Sequence, residues 1–468
     1  MSRDELCFQS ASELARRIAS REISPVDLVK AVLERADRLE PAINAFVEIN
    51  RDAALAEAGA AEKAVMAGSS LGVLHGVPIS VKDNIKIKGR PMRSGSLSTA
   101  NVVPTEDAAV ITRVRKAGAI IIGKTALPEF AHKMFTDSAL HGITRNPWNL
   151  GRTPGGSSGG ASAALAGGIA PLAIGTDGGG SIRGPAAWAG VAGLKATLGR
   201  IPLEANSDAF SKFAFVGPMT RKVEDLALLG RVMSGEHCYD PYSLASLEPI
   251  TSAKADGAAK GLRVGWIEHF GPYRTDAEVG KITRAALSSL EQQGAIVDEL
   301  RDPCFDDVYS IYTVLASSAQ AARIGPLVER WGNTMDRSLT LRIERGNSYS
   351  SVDYLQAQER RTALFLAVQK LFERYDVIAT PTVPVAAPPV EVSKSLDANS
   401  TADWGGALYP FNLTGHPGIS IPVGLASGLP VGLQLVGPWY AEQRLLDVSA
   451  LLEMSHPPLG MPIAIRDL

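Results

Sequence analysis

Val29, Val32, Leu33, Ala36 and Leu39 recur at three- and four-residue steps behind Ser24-Pro25, a pattern that predicts a helix with one apolar face and proline at its first position. Ser10 followed by Glu13 predicts a capping box for the helix before it. After an alanine-rich third helix the texture changes. Short apolar runs at Pro78–Val81, Ala119–Ile122 and Pro171–Ile174 read as buried strands, followed later by Val264–Ile267, Val377–Ala379, Ile419–Val423 and Gly432–Val436. Helical patterns at Ala277–Gln293 and Asp353–Tyr375 lie between them. This alternation predicts an α/β fold, a single large domain with a mixed central β-sheet flanked by α-helices and an N-terminal helical segment at 1–68. Residues 233–258 are polar and turn-rich and read as a surface connection, with the α/β pattern resuming on both sides.

Composition narrows the function classes. Of 468 residues, 45% are hydrophobic, enough for a large core. Lys and Arg number 47 against 49 Asp and Glu, so the chain lacks the positive excess that phosphate backbones attract, and no direct nucleic-acid contact is expected. Cys7, Cys238 and Cys304 stand far apart in no metal-ligand spacing; they read as buried or idle thiols of a reducing compartment, with no metal and no cofactor expected. No run approaches 18 apolar residues and the start of the chain has no signal-peptide pattern, so a cytoplasmic protein without a membrane span is expected.

Glycine is the most unusual feature: thirteen of the 39 residues from Gly155 to Gly193 are glycine, against 45 in the whole chain. Two knots, Gly155-Gly156-Ser157-Ser158-Gly159-Gly160 and Gly175-Thr176-Asp177-Gly178-Gly179-Gly180-Ser181, both end on or enclose serine. Bare backbone of this kind lets N–H groups converge on an anion or a developing oxyanion. Two literal motif matches nearby fail on their context. Gly118 to Thr125 satisfies the phosphate-loop pattern, yet Ile120, Ile121 and Ile122 make the segment a strand rather than a flexible loop. Gly155 to Gly159 satisfies the G-x-S-x-G elbow, yet the preceding Asn146–Pro154 stretch, with two prolines, cannot be the strand an elbow requires. Lys82 differs from both, closing the apolar run Pro78–Val81 where a strand meets a loop.

Together these residues resemble the amidase signature family. The similarity runs through Gly76–Asp83, Asn146-Pro147-Trp148, Pro154–Gly160, Gly175–Arg183, Gly193-Leu194-Lys195, Thr380-Pro381-Thr382, Asn412–Gly415 and Gly432-Leu433-Gln434, and so spans nearly the whole chain, 1–468, with 72–200 as its core. The resemblance implies a Ser-cisSer-Lys triad in which Ser181 matches the nucleophile, Ser157 the bridging serine and Lys82 the base. It implies an oxyanion hole from the N–H groups of Gly178, Gly179, Gly180 and Ser181, although the position of Gly178 is commonly Thr or Ile in such enzymes. It also implies that Ala131 lines the substrate site, with Met134 and Phe135 shaping an apolar pocket.

A free lysine, with a pKa near 10.4, is neutral in only about one molecule in 2,500 at pH 7. Burial must therefore bring Lys82 down before it can act as a base. His75, His132 and His141 read as structural or pocket residues. The expected activity is hydrolysis of a small-molecule carboxamide through a seryl acyl-enzyme. Two other readings stay open: the glutaminase subunit of a tRNA-dependent amidotransferase, and a non-catalytic binding protein on the same scaffold. The first needs an acidic residue for the glutamine ammonium just before the Asn412 motif, and Trp404–Phe411 contains none. A homodimer also stays open.

Overall fold

The computed structural model of the protein describes residues 3–204, 209–210, 213–243, 248–397, 402–466 and 468. Thirteen strands occur among them: β1 (Phe46–Ile49), β2 (Pro78–Lys82), β3 (Ile120–Thr125), β4 (Asp137–Ser138), β5 (Gly142–Ile143), β6 (Leu172–Asp177), β7 (Ala192–Lys195), β8 (Phe215–Thr220), β9 (Arg263–Trp266), β10 (Ile296–Glu299), β11 (Val377–Pro381), β12 (Gly418–Ala426) and β13 (Leu429–Val436). Apart from the small β4–β5 ribbon, they build one mixed sheet in the order β1-β3-β2-β6-β8-β7-β12-β13-β11-β9-β10. All seven predicted strands are present.

Strand β2 runs parallel to both of its neighbours, β3 and β6, with Ile79 opposite Leu172 and Lys82 opposite Thr125. Its five residues and the six of β3 are all buried, because helices cover both faces; this is why the sequence shows continuous apolar runs there instead of alternation. The parallel pairing brings the carboxyl ends of β2 and β6, Lys82 and Asp177, to the same edge of the sheet. That edge is where α/β folds place their ligands.

The N-terminal helices Ala11–Ala19, Pro25–Ile43 and Arg51–Met66 pack on the same core. Ser24 Oγ caps the second of them, accepting from the N–H groups of Val26 at 3.0 Å and Asp27 at 3.3 Å. The expected capping box at Ser10 is only half formed. Ser10 Oγ accepts from Glu13 N–H at 3.2 Å, but the Glu13 carboxylate is drawn away by the Arg16 guanidinium at 2.8 and 2.9 Å.

Strands β1, β7, β8 and β10 were not apparent from the pattern. In β8, Gly217 and Pro218 look like turn residues; Gly217 is there because a Cβ would lie 2.3 Å from the Leu194 carbonyl of β7. Gly123-Lys124-Thr125 lies inside β3, so the phosphate-loop match is a strand, and no strand leads into Gly155. Between residues 234 and 262 the described residues form neither helix nor strand.

Candidate active site

Lys82 is fully buried at the end of β2. Its Nζ lies 2.7 Å from Ser157 Oγ, 2.8 Å from Ser158 Oγ and 3.3 Å from the Thr176 carbonyl. All three partners are neutral, so nothing in contact compensates an ammonium charge. Burial accordingly drives the Lys82 pKa well below its ordinary value, with only the field of Asp177 pulling it back. In the neutral amine, two N–H bonds can point to Ser158 Oγ and the Thr176 carbonyl, leaving the lone pair for the Ser157 hydroxyl proton. Ser158 was missed as a functional residue by sequence reasoning; its place beside Ser157 in the first glycine knot was the available signal. Its hydroxyl donates to the Thr176 carbonyl at 3.2 Å, which fixes it as an acceptor toward Lys82.

The first knot must be glycine for steric reasons. A Cβ on Gly156 would lie within 2.7 Å of three backbone atoms of Lys133, Met134 and Phe135. Gly155 adopts φ +93° against Pro185, and the Gly156–Ser157 peptide is cis. Ser157 and Ser158 are both fully buried at the start of the helix Gly159–Ala166.

The second knot is a turn organised by one carboxylate. Asp177 accepts from Gly180 N–H at 2.6 Å and Ile182 N–H at 3.1 Å, and from Arg183 Nε at 3.0 Å and a second guanidinium nitrogen at 3.1 Å. Asn412 donates to the same carboxylate at 2.9 Å and to the Asp177 carbonyl at 3.0 Å, while Gln434 Oε1 accepts from Arg183 at 2.7 Å. Burial alone would push the Asp177 carboxyl up, but Arg183 and Asn412 hold it below the usual carboxylate range. The turn is thereby fixed with Ser181 facing the cavity. Gly180 is a correction to the expected donor set, because its N–H is committed to Asp177. The N–H groups of Gly178, Gly179 and Ser181 donate to no protein group among the described residues, and all three residues line the cavity. At Gly178 a Cβ would meet nothing within 4 Å, so this position accepts larger residues without disturbing the turn.

The cavity has a volume of about 340 Å³ and is bordered by Ser157, Thr176, Ser181, Ala131 and Met134, and by Phe213 and Tyr312. Phe135 is a second correction: it is buried outside the cavity, its ring 5.4 Å from that of Trp404. Ala131 follows Phe130 in a left-handed pair, φ 58° and 49°, which turns the chain along the cavity wall. His132 also reaches the cavity, held by the Glu129 carbonyl and Ser338 Oγ, each at 2.7 Å. The other two histidines stand apart from it: His75 meets the Ala61 carbonyl at 3.0 Å, and His141 is pushed down by burial to about 4. Among the described residues no cluster of three or more His, Cys, Asp or Glu side chains is arranged to hold a metal ion, and no helix is long and apolar enough to cross a membrane.

The carboxyl edge of the mixed sheet thus holds a buried lysine on two hydroxyls and, on the cavity wall, backbone donors that no protein group among the described residues engages. Comparison with known proteins gives the class. The Amidase family model matches residues 27–446. An acylamidase of Rhodococcus erythropolis is 35% identical over 98% of this chain and 97% of its own length. A glutamyl-tRNA(Gln) amidotransferase subunit of Symbiobacterium thermophilum is also 35% identical, over 94% of this chain and 95% of its own. Among solved structures, a bacterial aryl acylamidase of the amidase signature family superposes with a TM-score of 0.92 at 27% identity, covering 98% of this chain and 99% of that one. The chain belongs to the amidase family and hydrolyses the C–N bond of an amide.

Proposed function

We propose that Ser181 is the nucleophile, Ser157 the proton relay and Lys82 the base. Lys82 Nζ takes the Ser157 hydroxyl proton as Ser157 Oγ takes that of Ser181, whose oxygen attacks the amide carbon. The oxyanion accepts from the N–H groups of Gly178, Gly179 and Ser181. Collapse breaks the C–N bond, the proton returns through Ser157 to the departing nitrogen, and ammonia or an amine leaves an acyl-Ser181 ester. Water then attacks that ester by the same relay, releasing the carboxylate. The observation that carries this reading is the 2.7 Å contact between a fully buried lysine and Ser157, with no carboxylate in contact.

The whole chain, 1–468, works as one unit in this reading: residues 1–68 buttress the sheet, and the span 72–200 supplies every member of the triad. It acts on a small-molecule amide, alone or as a homodimer in the cytoplasm, without contact to nucleic acid. The amidotransferase reading, which would make it one component of a larger assembly, is disfavoured by the absence of a carboxylate in 404–411.

The purified chain is tested by itself on a panel of amides. Ser181→Ala is expected to lose turnover by at least about a thousandfold with an unchanged melting temperature. Turnover that survives in Ser181→Ala but vanishes in Ser158→Ala would refute the assignment. Activity that appears only with added partner proteins would favour the amidotransferase.

A further inference from the structure

We infer that Thr136 is a positioning residue for the reaction: its hydroxyl grips the loop Gly155–Gly159 and so sets where Ser157 stands between Lys82 and Ser181. This rests on the reading above for the role of Ser157.

A relay hydroxyl has to face a base and a nucleophile at once, and a misplacement of about 1 Å can cost roughly a hundredfold in rate. Three of the five residues in the loop that carries Ser157 are glycine, the residue whose backbone is least restricted. The conformation of the loop is therefore set by what holds it. Thr136 Oγ1 donates to the Gly155 carbonyl at 2.8 Å and accepts from the Gly159 N–H at 3.2 Å, so one side chain ties the backbone on both sides of Ser157. The contact is close as well as polar: a Cβ on Gly159 would lie 2.4 Å from Thr136 Oγ1. Ser162 Oγ also spans the loop, donating to the Pro154 carbonyl at 3.0 Å and the Gly159 carbonyl at 3.1 Å, but it belongs to the helix Gly159–Ala166 that the loop leads into. Thr136 brings its reference point from a separate segment.

That segment is tied on either side of Thr136. Before it, the buried Lys133 meets Asp336 at 2.6 Å, Asp137 at 3.0 Å and Ser393 Oγ at 2.9 Å. After it, Asp137 accepts from Ser393 Oγ at 2.7 Å, and the Thr136 carbonyl accepts from Thr144 N–H at 2.9 Å. The branched side chain has few χ1 choices of its own, so a fixed backbone fixes the hydroxyl. Thr136 is 2% exposed and stands behind the cavity wall, and it acts on the reaction through the loop alone. The consequence falls mainly on amides. An amine departs only with a proton, which returns through Ser157, whereas p-nitrophenolate departs without one. A displaced Ser157 therefore slows C–N cleavage more than cleavage of an activated ester.

The test compares the wild type with Thr136→Val, which keeps the shape and removes the hydroxyl, and with Thr136→Ser, which keeps the hydroxyl. The substrates are p-nitroacetanilide and p-nitrophenyl acetate, which share an acyl group. Thr136→Val is expected to lower kcat on the anilide about thirtyfold with KM within about twofold, and single-turnover release from the ester only about threefold. Thr136→Ser should bring both to within about threefold of the wild type. A crystal structure of Thr136→Val should place Ser157 Oγ more than about 3.5 Å from Lys82 Nζ, outside hydrogen-bond reach. Equal losses on anilide and ester, a loss that Thr136→Ser does not restore, or an unmoved Ser157 overturns the inference. Ser157→Ala, run alongside, separates the two proposals. If it keeps most of its anilide turnover, the relay assignment falls and the positioning role with it; if it is inactive while Thr136→Val matches the wild type, only the positioning role falls.

Discussion

Lys82 and Lys124 are two fully buried lysines on adjacent parallel strands, β2 and β3, one register step apart, and their contacting partners differ in charge. Lys124 meets a carboxylate, Asp83, at 2.8 Å and the Pro91 carbonyl at 2.6 Å. Lys82 meets two hydroxyls and a carbonyl. Burial lowers both pKa values, but at Lys124 the Asp83 charge opposes it in direct contact, whereas at Lys82 only the field of Asp177 does. The same side chain is thus an ion-paired cation on one strand and, in the reading proposed above, a base on the next. Lys124 is also the lysine of the phosphate-loop match, and its pairing shows what that lysine does instead.

The strongest way to break this comparison is Lys82→Arg. It keeps the charge but removes the titration, and kcat/KM is expected to fall at least about a hundredfold. For the wild type, kcat/KM should rise with pH through an acid limb well below the ordinary lysine value, since only the neutral amine accepts the Ser157 proton. Retention of more than a tenth of the activity by Lys82→Arg would reduce Lys82 to an electrostatic role.

Stability should divide the two lysines the other way. Lys124→Met leaves Asp83 buried and unpaired, at a cost of roughly 3–5 kcal/mol seen in denaturant unfolding, and Asp83→Asn in the same chain should restore much of it. Lys82→Met should melt no lower than the wild type at pH 7. Its folded pKa lies below the unfolded one, so the unfolded chain binds the extra proton and Lys82 works against folding until pH rises past the unfolded value. A large drop in melting temperature for Lys82→Met would contradict this.

Ser158→Ala should be the mildest change. Losing one acceptor on Lys82 Nζ removes the orientation of the lone pair and is expected to lower the plateau of kcat/KM about tenfold. The acid limb should move to lower pH, because the lost hydroxyl stabilised the ammonium more than the amine. A shift to higher pH would reverse the assigned role.

Much of this site was legible in the sequence because backbone necessity leaves a mark. Gly156 cannot carry a Cβ, the β2 run ends on a lysine, and the apolar strands β2, β3 and β6 are continuous because both faces are covered. What escaped depends on partners distant in sequence. Arg342, which borders the cavity, lies on the helix Arg337–Ser348, where an arginine looks like an ordinary solvated charge. Phe135 sits two residues from cavity-lining Lys133 but turns toward Trp404. Gly180 differs from Gly179 only because Asp177 folds back onto its N–H. Edge strands such as β1 and β10, four residues each, are too short for a period to show.

The parallel pairing of β2 with β6 also bears on the order of folding. Ile79 and Leu172 are neighbours in the sheet but separated by β3, the β4–β5 ribbon and the helices between. Helices and local turns form early, whereas such a distant strand pair closes only after a long loop has been ordered. Lys82 is expected to meet Ser157 only after that closure. In the reading proposed above, a partly folded chain is expected to hold its serines without their base, and the appearance of hydrolysis during refolding should report the docking of two strands rather than the gain of secondary structure.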